Sequence, residues 1–271
     1  MGQGDNCVIL TVFSLWRQGI PAIRACGGKL SNVFDWIRGL RKKQAPSQAS
    51  LSHASDTATE RVDLAEFAPG IMTFLGLTAY LQLELYEAAT RAVSGAATLE
   101  AKETLARVAG ETLSKQQRLA DEIRRRGAEP HVVMRPFTQV IDDYVERIDT
   151  EDWHQHVLSL YLVGGLFDDF FASLAGGLKD SYRAEVIAVL TGGEGRAALK
   201  GLLEQALEED PKLSSWLALW GRRLVGDTLL VSRAVLNLSE KREFVESEVE
   251  PVFTELIADH IRRMDGLGLT A

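Results

Sequence analysis

With 271 residues, 46% of them hydrophobic, the chain can bury one domain of about 200 residues plus extra segments, or two small domains. Only 7 prolines occur and helix formers dominate, which points to an all-α fold. A net charge of -8 argues against a broad nucleic-acid footprint, which needs a dense basic face. The charge is uneven: residues 1–60 hold seven Lys/Arg against four Asp/Glu, so the acidic excess belongs to the remainder. Cys7 and Cys26 both lie in that first part. This is no disulfide scaffold, and it fits a cytoplasmic location.

In chain order, residues 1–44 read as a solvated arm or short helix. The apolar run 8–16 is too short to span a bilayer. Apolar residues 33–40 beside Arg41, Lys42 and Lys43 also suit an anionic membrane surface. Residues 45–62 are rich in Ser, Ala and Thr and predict a flexible linker. The domain is therefore placed at 63–271. A first long helix is predicted from Pro69, at a first-turn position, to about Ser94. Phe74, Leu75, Leu81, Leu85 and Ala88 recur along it at helical spacing. A second runs from a Thr98 cap to Arg126, stopped by Gly127 and Pro130, and the short link makes the two antiparallel neighbours.

A connecting helix comes next at 136–148. A third long helix, capped by Thr150 and ending at Gly176, is apolar nearly all round and so central. Two shorter pieces at 181–191 and 195–208 are split by Gly192, Gly193 and Gly195. Long helices are predicted at 211–236 and from Pro251, again in a first turn, to Met264. Residues 240–250 read as a solvated connector. The last helix carries Val252, Phe253, Leu256 and Ile257 on one side and can pack on the bundle or in a homodimer. Phe74, Trp216 and Trp220 are assigned to the core. Glu151 and His154 form the chain's Glu-x-x-His; at a helix start, Glu151 and Asp152 more simply stabilise the dipole. His156 is read as a surface or packed residue.

Several stretches resemble a known family. They are Ala79-Tyr80 with Glu87, residues 137–153, residues 161–170 with Asp169, and above all DPKLSSWLALWGRRLVGDTLL at 210–230. They resemble actinobacterial ferritin-like proteins similar to the tRNA hydroxylase acting on methylthio-isopentenyl-adenosine. The resemblance covers about 67–236. It implies a ferritin-like antiparallel four-helix bundle with additional C-terminal helices. In such bundles inward carboxylates and two acid-x-x-His pairs hold two irons; residues at i and i+3 offer an oxygen and an imidazole to one site.

The family's ligand positions fall on Glu87, on Thr112 and Lys115, on Gly164 and Asp169, and on Gly192 and Gly195. No histidine lies in 101–127 or 180–209. Glu84, Glu111, Asp168 and Glu194 are nearby acids that a shift of register brings into play. The expected site is thus degenerate, with no metal; an active protein would carry di-iron. Buried carboxylates need a counter-charge. Lys115, at a ligand position, is therefore expected to pair with Glu87 or Asp169. Two readings result: a non-catalytic binding or scaffold protein, or a di-iron, oxygen-dependent hydroxylase acting on a modified tRNA nucleoside. For the second, Arg124, Arg125, Arg126, Arg222 and Arg223 are candidate phosphate contacts.

Overall fold

The computed structural model describes residues 64–236 and 246–270. The arm, the linker and residues 240–245 lie outside the described residues. The chain divides into two units, Met1–Glu60 and Arg61–Ala271, and the helical bundle belongs to the second. After a 3-10 turn at Leu64–Phe67, the helices are α1 (Ile71–Gly95), α2 (Leu99–Arg125), α3 (Pro130–Met134) and α4 (Thr138–Ile148). They continue as α5 (Trp153–Ala175), α6 (Arg183–Thr191), α7 (Gly195–Glu209), α8 (Leu213–Leu236) and α9 (Glu246–Asp265). Among the described residues there is no strand.

α1 packs most extensively against α2, the neighbour to which a three-residue link returns it. α5 is the hub and touches α1, α6, α7, α8 and α9. Its sequence explains this role: Val157, Leu158, Leu162, Phe167, Phe170 and Phe171 cover all of its faces, and all are buried. Phe171 meets Phe74 of α1 edge-on, with ring centroids 5.9 Å apart. By length and composition alone α5 is apolar enough to cross a membrane; here most of it is buried among the other helices. α1, α2, α5 and the broken pair α6–α7 enclose the centre of the bundle. α8 and α9 are the additional C-terminal helices.

Several helix ends differ from the sequence reading. Thr98 does cap α2, accepting from the Ala101 amide at 3.1 Å. Thr150 does not cap α5; Asp152 does, accepting from the Gln155 amide at 2.8 Å. Thr150 instead accepts from the Asp152 amide and braces the cap. α1 starts at Ile71 behind Gly70, leaving Pro69 outside its first turn. α9 starts at Glu246, so Pro251 sits within the helix and residues 246–250 are no connector. Trp216, in the first turn of α8, is 52% exposed rather than in the core. Trp220, one turn on, is buried and donates to the Ser159 hydroxyl at 2.8 Å. One turn apart, the two share a face of α8, and it is Trp220 that this bond holds against α5.

His260 joins α9 to α8. It is 3% exposed, and its Nε2 donates to the Gly221 carbonyl at 2.9 Å. Burial, with the Arg263 charge adding to it, pulls the imidazole down from 6.5 to about 4. The unfolded chain thus takes up this proton first as pH falls. Stability from His260 is complete above pH 6.5, is lost between 6.5 and about 4, and levels off below. The loss is at most about 3 kcal/mol. Urea unfolding at pH 7 and pH 4.5 tests it: His260→Gln should lose less stability over that interval than the wild type. An equal loss in both proteins would rule the effect out.

Candidate functional site

The charged centre of the bundle is built on α2. Its residues Glu111 and Lys115 are one turn apart and so share a face. Opposite them the chain breaks between α6 and α7, leaving two helix ends with unpaired backbone groups. Glu111 meets the N-terminus of α7: its carboxylate accepts from the amides of Glu194 at 3.0 Å and Gly195 at 2.9 Å. Lys115 meets the C-terminus of α6: its ammonium donates to the Leu190 carbonyl at 2.9 Å. Each side chain has the sign its helix end favours. Gly193 lies in the break at φ +103°, and any Cβ there would overlap the Glu111 carboxylate. Only glycine fits so close an approach in that backbone conformation.

Lys115 has a second partner. Its Nζ lies 2.8 Å from Oδ2 of Asp168 on α5, and the two side chains are each 13% exposed. Oδ1 of Asp168 accepts from Gln82 of α1 at 2.9 Å. Four elements thus converge on one ion pair whose oxygens are both hydrogen-bonded. Burial pushes the Asp168 carboxyl up, while Lys115 and then Gln82 pull it back. The expected buried pair exists, but its anion is Asp168 rather than Glu87 or Asp169. The reason is geometric: successive residues on α5 point about 100° apart, and Asp168 is the one that faces α2.

Asp169 faces α7 and α9 instead. It accepts from Arg196 at 3.0 Å and from Arg263. Glu87 is exposed on α1 and does not enter the bundle. Glu84, half-buried, lies beside Tyr80, which donates to Asp142 at 2.5 Å. Burial pushes the Glu84 carboxyl up, Tyr80 pulls it down, and Glu87 and Asp142 add to the rise. Thr112 donates to its own helix, to the Val108 carbonyl at 2.9 Å. Gly164 is half-buried; Gly192 and Glu194 are exposed; Gly195 is buried as the first residue of α7. A cavity of about 50 Å³ lies among these helices, lined by Thr112, Lys115, Tyr161, Gly164, Asp168 and Arg196.

The donors present do not fit a di-iron centre. Among the described residues no three His, Cys, Asp or Glu side chains converge. An ammonium already occupies the coordinating side of Asp168, and Asp169 and Glu111 are each engaged elsewhere. Glu151 is exposed, and His154 stacks edge-on against Trp153 at 5.1 Å. His156 donates to the Ala88 carbonyl at 2.7 Å, as a packed residue does. The arginines are engaged too. Arg124 pairs with Asp121, Arg125 with Glu122, and Arg126 with Glu122 and, by two bonds, Asp180. Arg222 donates to the Thr270 carbonyl and Arg223 to that of Arg147.

The roles of Glu111 and Arg263 were not legible in the chain. The one signal was the glycine-rich break, which implies two helix ends needing opposite charges.

No curated protein matches the chain. Residues 65–247 match the family model described as a ferritin-like domain of actinomycetes. That match spans most of the chain and coincides with the bundle from the first described turn to the start of α9, so the chain belongs to this actinomycete ferritin-like domain family.

Proposed function

We propose that the protein is a non-catalytic member of its family with a binding or scaffold role, and that an internal cation replaces metal in its centre. The observation that carries this reading is the Lys115 ammonium, held between Asp168 Oδ2 and the Leu190 carbonyl. Inward carboxylates of a ferritin-like bundle are ordinarily neutralised by iron. A lysine at that place neutralises Asp168 without a ligand, and the charge balance is then independent of metal supply. The absence of histidine from 101–127 and 180–209 supports the same reading. So does the engagement of each remaining acid at the centre with a guanidinium or a helix end.

The alternative, a di-iron hydroxylase acting on a modified tRNA nucleoside, rests on the resemblance of residues 210–230 and their neighbours. The donor set and the engaged arginines weigh against it.

Metal content separates the two. We expect protein from iron-supplemented medium, without a histidine tag, to carry no stoichiometric metal after dialysis. About two irons per chain surviving dialysis would overturn the reading.

A further inference from the structure

α8 carries a surface that the Lys115 centre does not use. Six large apolar side chains are exposed among the described residues, and three of them, Trp216, Leu219 and Leu230, stand on this helix. Single exposed apolar residues are ordinary, but a stripe of them marks a contact surface. Leu219, Arg223, Gly226 and Leu230 follow one another at spacings of four, three and four residues, the repeat that keeps one seam of a helix facing a partner helix. Leu219 is 59% exposed and Leu230 43%, and Gly226 leaves open space where a Cβ would stand.

The chain does not pair the charges along this seam. Nη2 of Arg223 donates to the Arg147 carbonyl at 3.0 Å, and the guanidinium lies over the Trp220 ring. Its other N–H groups have no acceptor among the described residues. Asp227, one turn beyond Arg223, has no ion-pair partner among the described residues. A cation placed before an acid is the less favourable order for a pair within one helix. Each of the two charges is thus available to a second molecule.

The seam is complementary to itself. Leu219 and Leu230 lie equally far on either side of the point between Leu224 and Val225, and so do Arg223 and Gly226. A second α8 laid antiparallel across that point sets Leu219 on the partner's Leu230 and Arg223 into the gap at the partner's Gly226. The two-fold axis then repeats both contacts. In that gap the guanidinium comes beside the partner's Asp227. Sliding one helix along by three residues would instead set Arg223 on the partner's Arg223, so like charge excludes that register.

We propose that the exposed face of α8 is a two-fold contact between two copies of this chain, with Leu219 and Leu230 as its apolar anchors and Arg223 paired with the partner's Asp227. One helix face buries less than the about 800 Å² per partner of a standard interface, so the dimer is a weak one, with a dissociation constant on the order of micromolar. The inference is independent of the reading of the Lys115 centre and holds with or without metal there.

Sedimentation velocity of the full chain at pH 7, over about 1–300 µM, brackets an association of that strength. The mass should rise from one chain to two across the range. Leu219→Arg, at an exposed position, should weaken association about tenfold or more. Asp227→Arg should do the same by setting Arg against Arg, and adding Arg223→Asp to it should restore the dimer, because the swapped charges pair again. Circular dichroism checks that each variant stays folded. A wild-type chain that stays single over the whole range would overturn the contact, as would association unchanged in Leu219→Arg or a double variant no stronger than Asp227→Arg. A single chain that sediments with vesicles of phosphatidylserine and phosphatidylcholine would overturn it too, and would give the face to an anionic bilayer.

Discussion

Lys115→Ala should lower the unfolding free energy by about 3–5 kcal/mol, the usual cost of removing one partner of a buried ion pair. The loss has two parts. Asp168 keeps only the Gln82 amide as a partner in a site where it is 13% exposed. The Leu190 carbonyl also loses its donor at the end of α6. Urea unfolding measures the effect, and a loss below about 0.5 kcal/mol would place Lys115 in solvent and sink the idea. A cycle sharpens the test. Lys115→Met combined with Asp168→Leu should cost far less than Lys115→Met alone, because the burial penalty disappears with the second charge. The pH dependence has a defined sign. Without Lys115 the folded-state pKa of Asp168 rises further above its unfolded value. The variant's deficit should therefore shrink as acid protonates the buried carboxyl.

Asp169→Ala should cost about 3–4 kcal/mol, a loss carried by the residue it leaves behind. Arg263 stays protonated in any protein environment. Its side chain is 10% exposed, and burial already pulls its pKa down while Asp169 pushes it back. Without Asp169 that charge keeps the Gly165 carbonyl as its hydrogen-bond acceptor and only the more distant Asp259 as a counter-charge. Arg196→Ala should cost less than about 1 kcal/mol, since its own side chain is 42% exposed. Hydrogen exchange provides an independent readout. Amides of α9 should exchange faster in Asp169→Ala than in Arg196→Ala, because Arg263 ties α9 to α5. Equal protection of α9 in the two variants would show that the helix is held by its apolar face alone.

The helices were legible because their signals are local. The periodicity of α1 and α2, the Thr98 cap, the Gly127 stop and the uniformly apolar α5 act within one or two turns of chain. The structure departs from expectation where two local signals compete. Thr150 and Asp152 both suit an N-cap, and one braces the other. Pro69 and Pro251 both suit a first turn, yet one helix begins after its proline and the other before it. Trp216 and Trp220 sit on one helix, and the register against α5 buries only the second.

The candidate site was half legible. The chain carries a lysine where the resemblance puts a metal ligand and lacks histidine in both segments that need it. Physical chemistry then required a buried cation–carboxylate pair, and such a pair is present. Which carboxylate accepts was not legible, because Asp168 and Asp169 are adjacent and only the rotation of α5 separates their directions. The clamp of Glu111 and Lys115 on the α6–α7 break was equally hidden, since it joins residues about 80 positions apart.

Composition and short-range pattern thus suffice for the helical class, the order of the helices and the break at Gly192–Gly195; the expectation of an internal cation came from the resemblance. They do not reach the pairing of Lys115 with Asp168 or the capture of Asp169 by Arg196 and Arg263. Those outcomes depend on how four helices, α2, α5, α7 and α9, are rotated about their axes. Rotation is set by the packing of the whole core rather than by any single segment.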